Sequence, residues 1–131
     1  MKKIYLGFLS FLLTSFLGAS NISKPQSNSN FELLVHKTPT CGCCKMWVKH
    51  MEKNGFTVNT KDHQSLVKIK EELKIDPKHR SCHTGVSSRG HFFEGHIPSE
   101  YVSQFLSEDN PDAIGLSVPG MPLGSPGMEA V

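Results

Sequence analysis

Three cysteines fall within four residues, Cys41-Gly42-Cys43-Cys44, and a fourth, Cys82, follows downstream. Thiolate sulfur can serve as a nucleophile, a redox couple or a soft metal ligand, and each use asks for a different spacing. Cys41 and Cys44 form a C-x-x-C pair with a further thiol between them. If the pair opens a helix, free N–H groups and the positive end of the dipole favour thiolate there, so these thiols are expected to ionise more readily than an isolated cysteine.

Three chemistries compete for the four sulfurs. In a disulfide scaffold four cysteines allow three pairings, and each must use the adjacent Cys43 and Cys44 awkwardly. In a thiol–disulfide oxidoreductase Cys41 would attack and Cys44 would resolve, with Cys43 as a third thiol that invites scrambling. In a soft-metal site thiolates suit Cu(I), zinc or an iron–sulfur cluster. Zinc fits less well, because a structural zinc site wants two separated ligand pairs. The crowding favours thiolates that bridge several monovalent ions. Four thiolates with four Cu(I) ions are also charge-neutral, which lowers the cost of burying them. Cys41, Cys43, Cys44 and Cys82 are thus a candidate Cu(I) ligand set.

Other side chains could add to it. His83 follows Cys82, and on a regular strand it would face the opposite way, so it ligates only if the strand ends or bulges there. His96 precedes Pro98 and is expected to support a strand–helix turn rather than ligate. His50 is placed near a helix end, where the dipole favours a cation. His36, His63, His79 and His91 carry no motif and are expected to be solvated. Met121 and Met128 offer thioethers soft enough for Cu(I), against a default role in packing.

These residues must be positioned by the elements around them. Residues 31–35 form an apolar run that suits a buried strand. Thr40 is a candidate N-cap, and Cys44, Trp47, Val48 and Met51 then recur at i, i+3, i+4, i+7, one face of a helix closed by Lys53, Asn54 and Gly55. Residues 56–60 alternate as a strand. Leu66, Ile69 and Leu73 mark a second helix that ends before Pro77. Residues 82–86 and 91–95 read as a hairpin about Ser87–Gly90, and Pro98 opens a third helix with Tyr101, Val102, Phe105 and Leu106 buried. The order β-α-β-α-β-β-α is that of a thioredoxin-like α/β fold with a mixed four-stranded sheet flanked by helices. Residues 110–131, rich in Pro, Gly and Met, are expected to form an extended tail associated with the domain at 31–109.

The N-terminus reads differently. Lys2 and Lys3, an apolar run from Ile4 to Leu17 and the small residues Gly18, Ala19 and Ser20 have the layout of a secretory signal peptide over residues 1–20. The run is shorter than the ~20 residues of a membrane span. Residues 21–30 are polar and small, a flexible leader. Without Lys2 and Lys3 the formal net charge falls from +2 to zero, and no Lys/Arg stripe carries interleaved aromatics, so nucleic acid is not an expected partner. Neither is a membrane after signal cleavage.

The run CGCCKMWVKHMEKNGF, then SCHTGV, EGHIP and GLSVPGMPLGSPGME, resembles the CopG-type family of periplasmic copper-resistance proteins, across about residues 31–131. One departure is visible: Lys78, His79 and Arg80 stand where the family tends to place a hydrophobic residue. The resemblance implies a thioredoxin-like fold holding a cysteine-bridged multinuclear copper cluster on Cys41, Cys43, Cys44 and Cys82. It implies a periplasmic location in a Gram-negative bacterium and a role in copper resistance, with interconversion of Cu(I) and Cu(II), a copper oxidoreductase activity, left open. The partners that follow are copper ions and periplasmic copper-export or copper-carrier proteins.

Overall fold

The computed structural model describes residues 31–129. The expected signal peptide and leader, residues 1–30, lie outside the described residues. The chain runs β1 (Glu32–Lys37), α1 (Gly42–Lys53), β2 (Thr57–Asp62), α2 (Val67–Glu72), a 3-10 turn (Pro77–His79), β3 (Thr84–Ser87), β4 (Phe92–Glu94), α3 (Ser99–Ser107) and β5 (Gly115–Ser117). The sheet order is β2-β1-β3-β4-β5. β1 and β2 are parallel, β3 is antiparallel to both β1 and β4, and β4 and β5 are parallel. This is the thioredoxin-like arrangement expected from the element order, with a fifth strand added. No helix of the described residues is long and apolar enough to cross a membrane.

One sheet face carries the apolar core. Leu33 and Val35 of β1 and Phe93 of β4 meet Trp47, Val48 and Met51 of α1 and Val102, Phe105 and Leu106 of α3, all buried. The i, i+3, i+4, i+7 stripe of α1 is its buried face. Trp47 Nε1–H is satisfied by the Ile97 carbonyl at 2.8 Å, so the indole is buried without an orphaned donor; truncating such a residue costs about 3–5 kcal/mol.

The other face is polar in one place. Cross-strand partners share a face, and the register aligns Lys61, His36, Thr84, Glu94 and Ser117 in a row across all five strands. Lys70 of α2 reaches this row, with Nζ on Thr84 Oγ1 at 2.9 Å and an ion pair to Glu94. Both Lys70 and Glu94 are buried. The second helix therefore docks through a charge as well as through its expected apolar residues, of which Leu66 is the buried one.

Several expectations are corrected in detail. The sheet has five strands, not four, because the tail supplies β5. At three residues β5 is too short to show a period, and its parallel pairing uses backbone groups. Cys82 and His83 precede β3 instead of opening it. The N-cap of α1 is Cys41, not Thr40, since Cys41 Sγ accepts the Cys44 N–H at 3.3 Å. Tyr101 is exposed, while Val102, Phe105 and Leu106 are buried; Tyr101 lies one position outside the stripe that meets the sheet.

Two glycines are required by the close approach of the tail. Gly95 has φ +84°, and a Cβ there would lie 2.5 Å from the Val118 carbonyl. Gly127 has φ +85°, and its Cβ would lie 2.7 Å from the Cys43 carbonyl. Any larger residue at either position pushes the tail off the domain.

Candidate metal centre

The cysteine run begins where β1 ends. Pro39 and Thr40 turn the chain, the Cys41 N–H donates to the Thr38 carbonyl at 3.2 Å, and α1 starts at Gly42. This puts Cys41, Cys43 and Cys44 on the first turn of a helix, as their spacing predicts. Cys82 comes to them from the loop between the 3-10 turn and β3. The four sulfurs all lie within 4.8 Å of one another. Cys41 and Cys43 sulfurs are 3.5 Å apart, and Cys44 Sγ lies 3.6 Å from the Cys82 carbonyl.

Cys41 and Cys44 are joined in a disulfide, with Cα atoms 5.3 Å apart, and Cys43 and Cys82 are free. The pairing leaves the adjacent Cys43 out of the bridge, and so avoids the awkwardness expected of a scaffold. Cys82 is half-buried, and its thiol is pushed up to about 11, first by burial and then by the neighbouring Cys43. In the metal-free protein it holds its proton at neutral pH, and a metal that takes this sulfur must displace that proton.

Two histidines flank Cys82. His83 does not face away, because the strand begins only at Thr84. Its Nδ1 is 3.4 Å from Cys82 Sγ, and its ring packs on Trp47 with centroids 4.4 Å apart. His83 is buried, and its pKa is lowered to about 3 by burial first, then by His96 and Lys70. Its Nε2 is buried with no hydrogen-bond partner.

His96 is equally buried and is the residue that sequence reasoning placed in a purely structural role. Its Nε2 lies 3.1 Å from Cys82 Sγ, and its Nδ1 lies 2.7 Å from the Pro126 carbonyl. A carbonyl can only accept, so Nδ1 carries a proton. In the neutral ring Nε2 then presents a lone pair to Cys82. A metal-ligating histidine is oriented in the same way, one nitrogen toward the ion and the other donating to a carbonyl. Cys82, His83 and His96 accordingly form a second candidate ligand group. The signal was the Gly95-His96-Ile97-Pro98 run: the glycine lets the tail approach, and the tail supplies the carbonyl.

The tail closes the site. Ser81 Oγ donates to the Gly120 carbonyl at 2.7 Å, and Ser117 Oγ to the His79 carbonyl at 2.6 Å. Met121 Sδ comes to 4.0 Å from Cys43 Sγ. Met128 is half-buried in a turn, with its N–H donating to Ser125 and its carbonyl accepting from Gly124. Beneath the site Glu94 accepts the Ser81 N–H at 2.5 Å, which ties the Cys82 loop to the Lys70–Glu94 pair.

The remaining histidines differ from their expected solvation in part. His50 stands in the last turn of α1 as expected, and its Nε2 accepts the Ser99 N–H at 3.1 Å, which ties that end of α1 to the first turn of α3. His36 is buried and paired with His63. His79 is exposed, as expected. His91 stacks edge-on against Phe105.

Comparison with known proteins places the chain among relatives. A family model described as "Protein of unknown function, DUF411" matches residues 79–128. No curated protein matches. Two solved structures, titled "Copper resistance protein copG", forms 1 and 2, are each 42% identical with a TM-score of 0.71; they cover 77% and 76% of this chain and 78% of their own. The chain belongs to the CopG family of copper-resistance proteins. Within a CopG-type chain, the segment matched by the family model holds Cys82, His83, His96 and the tail. The helix-start cysteines lie outside that segment, so the two halves of the site come from separate stretches of sequence.

Proposed function

We propose that this protein is an exported copper-binding protein of copper resistance that holds several Cu(I) ions bridged by Cys41, Cys43, Cys44 and Cys82. The observation that carries the reading is the mutual approach of the four sulfurs within 4.8 Å. Soft thiolates clustered this closely suit monovalent copper better than a hard cation. His83 Nδ1 and His96 Nε2, at 3.4 and 3.1 Å from the Cys82 sulfur, add nitrogen ligands at the inner wall, and the Met121 thioether stands at the outer one. Met128 is a further thioether held by the same tail. Copper held there would supply a one-electron couple between Cu(I) and Cu(II), the chemistry an oxidoreductase role requires. The protein's own groups exclude water through Trp47 and the tail, and release the Cys82 proton on binding.

Residues 1–20 direct export to the periplasm and are removed, residues 21–30 are a leader, and the domain at 31–109 with its tail at 110–131 forms the binding unit. Copper ions are its cargo, exchanged with periplasmic copper-export or copper-carrier proteins.

Reduction gates the site. With the Cys41–Cys44 disulfide closed, only Cys43 and Cys82 remain as thiols. Anaerobic Cu(I) loading after reduction should give several copper ions per chain by elemental analysis, and loading of the oxidised protein should give far fewer. A Cys43→Ser variant with unchanged copper stoichiometry would count against bridging.

The disulfide at the start of α1 also favours a second reading, a thiol–disulfide oxidoreductase using Cys41 and Cys44. Insulin reduction by the metal-free protein, abolished in Cys44→Ser, would support it over copper binding.

A further inference from the structure

On the sheet face opposite the core, away from the thiol site's own residues, two more imidazoles meet. His36 Nδ1 and His63 Nε2 are 2.8 Å apart, with ring centroids at 5.0 Å and planes tilted by 36°. His36 lies at the end of β1, and its neighbour in register is Lys61 of β2. His63 follows β2 directly and is held by its N–H donating to the Lys37 carbonyl at 2.9 Å. The two rings open on a cavity of about 340 Å³ that is also lined by Lys61, Ser65, Lys68 and Glu72.

We propose that His36 and His63 form a second metal site, an imidazole site for Cu(II), distinct in ligand chemistry from the thiol site. Two imidazole nitrogens bound at about 2.0 Å at right angles on a square-planar Cu(II) lie about 2.8 Å apart. The observed separation is that of the N–H···N hydrogen bond between the rings, and it already holds both nitrogens at the span that one ion requires once each ring turns its lone pair toward it. As they stand, the two nitrogens share one proton in an N–H···N bond. The ring that carries this proton moves it to its other nitrogen when the metal enters, so both lone pairs face the ion and no proton need be lost.

The surroundings favour the neutral form of His36 that a metal needs. Burial, then His63 and Lys61, lowers the pKa of His36. Glu72 sits on the same cavity and is only loosely engaged, 3.9 Å from the largely exposed Lys68 ammonium. It can turn in as a carboxylate ligand while Lys68 moves out to water. Imidazole and carboxylate with no thiolate select Cu(II) among the divalent ions at the top of the affinity order. The site asks for nothing from the cysteines, so it stands or falls separately from the proposed Cu(I) cluster.

The test uses the full mature chain with its thiols first saturated with silver(I), a soft ion that is redox-inert and silent in electron paramagnetic resonance. Excess silver is removed and Cu(II) is then titrated. The expected result is one Cu(II) per chain with pulsed-resonance signals from two equatorial imidazoles. In His63→Gln, whose side chain is only half-buried, one imidazole signal is lost and Cu(II) affinity falls at least tenfold, while silver stoichiometry is unchanged and the circular dichroism melt is retained. His79→Gln behaves as wild type. Equal Cu(II) affinity and spectra for wild type and His63→Gln, or an absence of imidazole coupling in wild type, would overturn the proposal.

Discussion

His96 spans two partners at once: its Nε2 faces the Cys82 sulfur at 3.1 Å and its Nδ1 donates to the Pro126 carbonyl at 2.7 Å. One side chain thereby connects a thiol to a tail thirty residues further along the chain. The contact fixes the tautomer of the ring, and the fixed tautomer points a lone pair into the site. The tail is thus part of the site's construction, since it sets which nitrogen is free.

His96→Phe should weaken copper binding by about tenfold to a hundredfold, the usual range for loss of an orienting or ligating partner. The side chain is replaced by one of similar shape, so the fold should persist. Competition against a chromophoric Cu(I) chelator reads the effect. Unchanged affinity would leave His96 with only the turn-supporting role its sequence position suggests.

The buried, neutral His83 makes the metal-free protein acid-sensitive. Its folded pKa is about 3 against an ordinary value of 6.5. The unfolded chain therefore binds a proton that the folded chain refuses. Stability from this group is present in full above pH 6.5 and drains away as pH falls from 6.5 toward 3, by on the order of a few kcal/mol. Urea denaturation of the metal-free protein at pH 7, 5 and 4 should show that fall, and His83→Gln should show a shallower one. Parallel pH profiles for the two proteins would contradict the assignment.

Much of this was legible before the structure. The stripe of Cys44, Trp47, Val48 and Met51 located α1 and its buried face, because helical period is a local property of the chain. The element order pointed to the thioredoxin-like α/β class, since a β-α-β crossover requires parallel strands. Cys82 was a candidate partner of the helix-start cysteines by residue type, and its approach to them from the loop before β3 is set by the fold. What was not legible depends on contacts between distant segments. β5 is three residues amid prolines and glycines, and only its pairing with Phe92–Glu94 makes it a strand. His96 became a site residue only when Pro126 returned to it. His36 was buried by β2 and α2, neither of which its own sequence neighbours reveal.

The Lys70–Glu94 pair was also invisible in the sequence, where Lys70 reads as an ordinary helix-surface lysine. Its side chain is nearly as buried as that of Glu94, and Glu94 also holds the Ser81 N–H and the Thr84 hydroxyl. Lys70→Met leaves an uncompensated buried carboxylate and should cost about 3–5 kcal/mol, while the double variant Lys70→Met with Glu94→Gln should recover part of that loss. Urea denaturation at pH 7 measures both. A single variant within 1 kcal/mol of wild type (about the scale of an exposed pair) would show the pair to be dispensable.

Sulfurs shared among copper ions are the defining feature of the proposed site. X-ray absorption at the copper edge of the reduced, Cu(I)-loaded protein examines that directly. Sharing predicts a first shell dominated by sulfur together with a copper–copper scattering feature, and in Cys82→Ser loaded in the same way the copper–copper feature weakens sharply while sulfur from the three remaining cysteines persists. A spectrum with no copper–copper feature, or one unaltered by Cys82→Ser, would contradict it.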